Sequence, residues 1–483
     1  MTSRQHTVIA TVLVILGLYV MRLTSVEIQP TPEGIIAVRG EGVVLFDQWG
    51  IGLSAPLTTW ATALGIRTVG GTPLAVRWFA IFSVLVAAVM TYLVARRSLN
   101  FQSSVLAMGV VGSSLPFITY GRQANDVIPF VACLLLALWA TLKIRDKNPM
   151  LTTIGVGGLL VVGLSGVALS MPFQALLSSD LSVTATGPLD VVLLLLEASP
   201  FLAAAILWCV VLVFRRELLP TRAQPDVLVL SVWLVVGCLL LAVSSIRSAL
   251  TISYVIAPAA ILGLRAVEQF RESRRMGLVI ALYCVVTLSS LWFVITSVLH
   301  LEQTQMLMVL VAAAICGVGL VGLIVMRSQK RRATMAVRLY KPVIYGSVAL
   351  TAVCAALVVM KGSPSAISGG RAVASALHED TLAVHSFTYL YHARTAADAF
   401  NGQLAWYTNG WMTGWKSGYR YVPTAMPPNT VDESTVSSVR GASWIVYYHP
   451  DINEDEQKIV RRLLISQYSA HVETPHYTLY RNR

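Results

Sequence analysis

A few ionisable residues stand at the edges of long apolar runs, where a charge is costly unless it has a task. Glu27, Glu33, Glu41 and Asp47 share one segment of mixed polarity. Arg122 and Asp126 close the string Tyr120-Gly-Arg122-Gln-Ala-Asn125-Asp126, and Arg247 sits within Ser244-Ser-Ile-Arg247-Ser248. Their types suit two jobs. A carboxylate can take the proton of a hydroxyl as that hydroxyl attacks a carbon centre. A guanidinium stays charged, and its fork matches phosphate oxygens. Each group also has a plainer reading. Arg122 and Asp126 stand four apart, a spacing at which a helix would let them pair and close a tight connection. Arg247 could simply snorkel to lipid headgroups.

The elements that must position these residues are apolar. Of 483 residues, 55% are hydrophobic and only 12% charged, and the mean hydropathy is +0.68. Ordinary soluble domains carry about 25% charge, so disorder, coiled coil and a simple soluble enzyme are excluded. Crossing a bilayer takes roughly 20 mostly apolar residues. Eleven runs qualify: 7–23, 74–95, 105–120, 127–142, 151–171, 201–214, 227–243, 249–264, 277–299, 306–326 and 343–360. The first is expected to stay, because Leu23-Thr24-Ser25-Val26 offers no small-x-small cleavage pattern.

Orientation follows from Lys and Arg, which stay cytoplasmic in short loops. Alternate loops counted from an inside N-terminus hold 19 of them and the opposite loops six, among them Arg77, Arg122 and Arg247. The N-terminus is therefore expected inside and the last 120 or so residues outside, with every candidate site residue on the external face. The net charge of +12 lies almost wholly in the membrane portion. It is a topology signal facing membrane lipids, and no nucleic acid is expected as a partner. All six cysteines fall inside expected spans as small apolar residues, so neither a disulfide nor a cysteine metal site is expected.

Three features interrupt the alternation of span and short loop. Residues 24–73 form a long external loop in which Ala55 to Leu64 read as an interfacial helix with Trp60 at headgroup depth. Pro172 to Pro200 holds an apolar stretch too short to span. From Lys361 the composition turns polar, with a linker at 361–370 and then, at 371–483, a small soluble extracytoplasmic α/β domain. In that domain Thr381 to Phe387, Trp444 to Tyr448 and His476 to Tyr480 read as strands, and Arg371 to Leu377 and Asp455 to Ser466 as helices. Its aromatic run 405–421 is read chiefly as core, with sugar stacking as the alternative. His378, His385 and His392 are separated by strand and loop signals, which speaks against a metal site.

Several of these pieces, taken in order, resemble the C-type (GT-C) superfamily of membrane glycosyltransferases. The resemblance is greatest to the branch of protein O-mannosyltransferases and the lipid A aminoarabinose transferase. Pro32-Glu33-Gly34 resembles the acidic motif that follows the first span. Ser54-Ala-Pro-Leu-Thr-Thr59-Trp60 resembles a Pro-Pro-Leu-x-Tyr-Trp helix. Leu74-Ala-Val-Arg77 resembles the Arg that opens the second span, Tyr120-Gly-Arg122 to Asp126 resembles Tyr-x-Arg followed by Asp, and Arg247 to Tyr254 with Pro258 resembles a basic, Tyr and Pro run opening a late span.

The resemblance implies a polytopic helical membrane protein of about 11 transmembrane helices in which residues 1–360 are the catalytic domain. It implies inverting transfer of one sugar from a polyprenyl-phosphate carrier to a hydroxyl acceptor on protein, lipid or glycan at the external face. Glu33 is then the expected base and Asp126 the group that orients it or the acceptor. Arg77, Arg122, Arg247 and Tyr254 are the expected substrate-binding residues. No cofactor is demanded. Some relatives build a divalent metal site at the acidic motif, but here Pro32 replaces the leading Asp, and Leu53-Ser54-Ala55 replaces the Glu-Lys before the Pro-Leu helix. Those departures keep a second reading open, a non-catalytic GT-C-like subunit of an envelope assembly. A third, a lipid or solute transporter, is disfavoured by the lack of an internal repeat and by the scarcity of charges within the spans.

Overall fold

The structure, a computed structural model, describes residues 3–21, 23, 33, 36–37, 40, 56–144, 205, 225–243, 249–272, eight positions between 345 and 372, and 388–391, 420–421, 444–448, 468–474 and 477–482. The chain divides into two compact units. One comprises Met1–Leu23, Gly52–Thr58 and Phe79–Pro364, the other Thr24–Ile51, Thr59–Trp78 and Ser365–Arg483. The expected segment Pro172 to Pro200, the tail helix at 455–466, all of the tail helix at 371–377 except Ala372, Thr381 to Phe387 and the three tail histidines lie outside the described residues.

Eight helices are described: α1 (Ser3–Val20), α2 (Pro56–Val69), α3 (Pro73–Ala95), α4 (Phe101–Ser113), α5 (Leu115–Tyr120), α6 (Val127–Ile144), α7 (Pro225–Val243) and α8 (Ala249–Glu272). Their starts carry local signals. Pro opens α2, α3 and α7, where its missing N–H costs nothing. Thr72 Oγ1 accepts from the Ala75 amide at 3.3 Å, and Asn100 Oδ1 from the Ser103 amide at 3.0 Å, capping α3 and α4.

The first unit has an apolar core in which α8 is central, with Val255 to Leu264 buried throughout and Ala266 and Val267 continuing the run. Gly237 on α7 lets Val255 in, since a Cβ there would stand 2.5 Å from Val255 Cγ1. At the other end of α8, Arg265 donates to the Ser98 carbonyl and Glu268 accepts from the Asn100 side chain. Two helices, α1 and α3, are long and apolar enough to cross a membrane among the described residues. α1 shows why they need lipid: Ile15 and Tyr19 are buried, while Leu13 is 60% and Val14 63% exposed.

The expected span at 105–120 is broken. α4 stops at Ser113, Ser114 adopts an extended conformation (φ −66°, ψ 142°), and α5 begins with Pro116 in its first turn. Pro116 has no amide to offer the Gly112 carbonyl four residues back, and its ring would crowd that oxygen. The Tyr19 hydroxyl takes the amide's place, donating to the Gly112 carbonyl at 3.0 Å. Gly112 itself admits α1, because a Cβ there would meet Ile15 Cδ1 at 2.5 Å. Tyr19→Phe is therefore expected to lower stability by about 1–3 kcal/mol, since a buried carbonyl loses its donor without any change in packing. Thermal unfolding in detergent checks this, and an unchanged midpoint would show that the carbonyl has another donor.

In the second unit, α2 extends five residues beyond the expected Leu64 and joins the first turns of α3 through close backbone approach. The Trp78 indole donates to the Ala61 carbonyl at 2.8 Å, and a Cβ at Gly65 would strike the Ala75 carbonyl oxygen and the Trp78 ring. Trp60 is 45% exposed, whereas Thr59 and Thr62 are buried.

The tail residues described form a five-stranded mixed sheet of order β2-β1-β3-β5-β4, with β1 (Thr388–Tyr391), β2 (Arg420–Tyr421), β3 (Trp444–Tyr448), β4 (Tyr468–Glu473) and β5 (Tyr477–Asn482). β1 runs parallel to β2 and β3, while β5 is antiparallel to β3 and β4. The strand expected at 444–448 is present, and the closing strand begins one residue later than expected. β4 carries only two strongly apolar residues, Ala470 and Val472, and was not expected; its polar alternation, Tyr-Ser-Ala-His-Val-Glu, gave too weak a period-two signal.

Candidate active site

Two groupings of the expected residues are described, one in each unit. In the second unit, Glu33 and Arg77 meet across 44 positions of sequence. Arg77 Nε donates to Glu33 Oε1 at 2.6 Å and Arg77 Nη2 to Glu33 Oε2 at 2.9 Å, a two-pronged pair. Glu33 is 0% and Arg77 1% exposed, which makes Arg77 the largest of the fully buried side chains among the described residues. Two charges so far from water persist only with close, directional partners, and a forked guanidinium against both carboxylate oxygens supplies them. Arg77 lies in the first turns of α3, which Thr72 caps and which Trp78 ties to α2. The pair thus ties Glu33 to the helix hairpin.

This geometry bears on the role expected of Glu33. A carboxylate with both oxygens already accepting charge-assisted hydrogen bonds is poorly placed to accept a proton from a third group. Arg77, expected to bind substrate, has its fork occupied by Glu33. A divalent ion at the acidic motif is no better served. Among the described residues there is no group of three His, Cys, Asp or Glu side chains, and the one buried carboxylate of the motif faces a cation already.

In the first unit, the connection from α5 to α6 gathers Arg122, Asn125 and Asp126. Residues 121–126 are turn and bend, not helix, so the register that would stack Arg122 on Asp126 does not form. Arg122 Nη2 donates to the Met21 carbonyl at 2.5 Å, tying the connection to the chain just beyond α1. Gly121 makes room for this, since a Cβ there would meet the Phe117 carbonyl oxygen at 2.5 Å and Tyr19 Cε1 at 2.7 Å.

Asn125 is the organiser that the motif reading missed. Its buried amide donates to the carbonyls of Tyr120 at 2.6 Å and Gln123 at 2.8 Å, while its Oδ1 accepts from the Ile128 amide at 3.0 Å. It therefore folds the turn and caps α6 at once. The available signal was an Asn-Asp pair directly before an apolar run with Pro at its third position. Asp126, partly exposed, is left at the N-terminal end of α6, where the unsatisfied amides and the helix dipole favour a negative charge.

Tyr254 lies on α8, its ring edge-on to Phe130 of α6 at 5.5 Å between centroids and 74° between planes. That contact brings the beginnings of α6 and α8 together. Met21, the 121–126 turn and the starts of α6 and α8 accordingly share one end of the first unit. Arg247, together with Glu27, Glu41 and Asp47, lies outside the described residues.

Residues 54–178 match the family model described as dolichyl-phosphate-mannose-protein mannosyltransferase. No curated protein matches the chain. Among solved structures, ArnT from Cupriavidus metallidurans in the apo state superimposes with a TM-score of 0.61 at 13% identity, over 100% of this chain and 99% of that one. The same ArnT bound to undecaprenyl phosphate gives 0.58 at 13% identity, over 99% and 98%. At that identity the likeness is one of fold, and it spans both chains from end to end. The resemblance read from the motifs therefore stands: the chain has the polytopic helical GT-C fold of ArnT, and over residues 54–178 it is similar to the protein mannosyltransferases.

Proposed function

We propose that the protein transfers a sugar from a polyprenyl-phosphate carrier to a hydroxyl acceptor on the external face of the membrane, inverting the anomeric centre. The observation that carries this reading is the end-to-end fold likeness to ArnT, one of whose matched structures holds undecaprenyl phosphate. The acceptor oxygen attacks the anomeric carbon from the side opposite the phosphate. The bond from that carbon to the phosphate oxygen breaks, the carrier leaves as polyprenyl phosphate, and the acceptor proton passes to a carboxylate.

Of the two carboxylates, Asp126 is the better acceptor of that proton. It is partly exposed at the start of α6, whereas both oxygens of Glu33 are held by Arg77. Glu33 and Arg77 then serve as a neutral clamp that positions the external segment. Arg122 and Arg247 would bear on the departing phosphate, which needs cations as its charge develops. Tyr254 would border the same end of the bundle. An external site has no access to cytosolic nucleotide sugars, which suits a lipid-linked donor. The external orientation rests on the 19 to six asymmetry of Lys and Arg between the two sets of loops.

The test is purified full-length protein in lipid nanodiscs, given radiolabelled polyprenyl-phosphate sugars and total envelope extract. Release of free polyprenyl phosphate coupled to labelling of an envelope acceptor is the expected result. Flux of an intact lipid or solute across proteoliposomes with no bond broken would replace this reading with a transporter.

A further inference from the structure

Helical hydroxyls of the described residues mostly bond back to their own helix. Thr7, Thr11, Ser83, Thr91, Ser104, Ser113, Thr141 and Ser231 each do so four residues back. On α2, Thr68 bonds to the Leu64 carbonyl at 3.0 Å, and Thr58 to the Asn125 carbonyl at 3.5 Å. Thr59 and Thr62 differ. They are 3% and 0% exposed, yet neither Oγ1 has a hydrogen-bond partner among the described residues. A buried hydroxyl without a partner costs stability. Two of them, three residues apart on one helix face, amount to a pair of unused polar groups about 5–6 Å apart at their Cβ atoms.

Thr62 packs on Gly40, where a Cβ would stand 2.7 Å from Thr62 Cγ2, so the Glu33 segment reaches this face of α2. The next residue back, Ala61, receives the Trp78 indole, and Trp78 follows Arg77. A free phosphate would call for cations at this place, and the guanidinium here is already neutralised by Glu33. What remains to recognise a ligand is a pair of neutral hydroxyls, each able to donate and to accept. That matches the hydroxyls of a sugar ring, which equally donate and accept.

We propose that Thr59 and Thr62 form a subsite for sugar hydroxyls and determine which glycosyl group is accepted. This rests on the reading of the protein as a polyprenyl-phosphate-sugar transferase and names the part of the ligand that this face reads. Binding of the sugar supplies the partners that the fold leaves out. A site built to hydrogen-bond a hydroxyl strongly rejects an analogue that lacks it, so such a pair suits discrimination between sugars.

The test uses full-length protein in nanodiscs, with Thr59→Val and Thr62→Val, singly and together. Val keeps the shape and removes the hydroxyl, and Thr→Ser at each site restores it. The probes are undecaprenyl phosphate alone and a panel of undecaprenyl-phosphate hexoses and pentoses. The expected result is a ligand-free melting temperature equal to or above that of the native protein. With it should come a loss of about tenfold or more in affinity for the preferred sugar-bearing carrier, an unchanged affinity for the bare carrier, and recovery in the Ser variants. A lower ligand-free melting temperature would mean that the hydroxyls are structural, and would overturn the proposal. So would equal affinities in native and Val proteins for every carrier, a matching loss for the bare carrier, or a native protein that prefers no sugar-bearing carrier over the bare one. Hydroxyl-dependent binding of a sugar-bearing carrier with no transfer to any acceptor would retain the subsite and refute the proposed reaction.

Discussion

Arg77→Met in an otherwise native chain is expected to lose about 3–5 kcal/mol of stability, the largest effect of any single change discussed for this protein. The loss comes less from the missing attraction than from what stays behind. Glu33 is 0% exposed and would keep a buried charge with no cation against it. Glu33→Gln is expected to cost a similar amount for the mirror reason, leaving the guanidinium buried and short of its counter-charge. The double variant Glu33→Gln with Arg77→Met should be far milder than the sum, because neither charge remains. Unfolding of the four proteins in detergent, arranged as a double-mutant cycle, measures the coupling. Additive losses would show that the two side chains act independently and that the clamp is not the anchor of the external segment.

Asp126→Asn is expected to reduce release of polyprenyl phosphate by about 10²–10⁴-fold, the range assigned to a positioned acid or base. The variant keeps the size of the side chain and much of its capping capacity at α6, so its melting temperature should move little. Asn125, not Asp126, makes the cap bond to the Ile128 amide. The comparison with the clamp separates the two roles. The Glu33→Gln, Arg77→Met double variant should retain more turnover per folded molecule than Asp126→Asn if Asp126 takes the proton. Full turnover by Asp126→Asn, with the double variant inactive, would move the base to Glu33 and require Arg77 to release it during the reaction.

The local parts of this fold were open to reading from residue order because their causes are local. A backbone in hydrocarbon must satisfy its own hydrogen bonds, so a crossing helix announces itself as a long apolar run, and α3, α6 and α7 lie where such runs fall. Capping and breaking residues act within a turn, which is why Pro56, Pro73 and Pro225 mark helix starts and Pro116 ends the expected 105–120 span. Buried β-branched and aromatic runs announced β3 and β5, while β4 escaped because its alternation is mostly polar.

The chemistry was legible only as residue types. That a carboxylate near position 33, an arginine at 77 and an acid at 126 should matter followed from their placement beside apolar runs and from the ordered motifs. Tertiary structure alone decided what each touches. The bond between Glu33 and Arg77 spans 44 positions, and its two-pronged geometry depends on the approach of Glu33 to a helix hairpin closed by Ala61, Gly65 and Trp78. Residues 121–126 form a turn and not the helix that a spacing of four supposed, because Asn125 bonds to the Tyr120 and Gln123 carbonyls within it. That the hydroxyls of Thr59 and Thr62 have no partner among the described residues is visible only in the folded chain. Spacing along the chain sets what can meet within one turn of helix; burial, and the choice of partner for a buried charge or hydroxyl, are set by contacts between segments that the chain order leaves far apart.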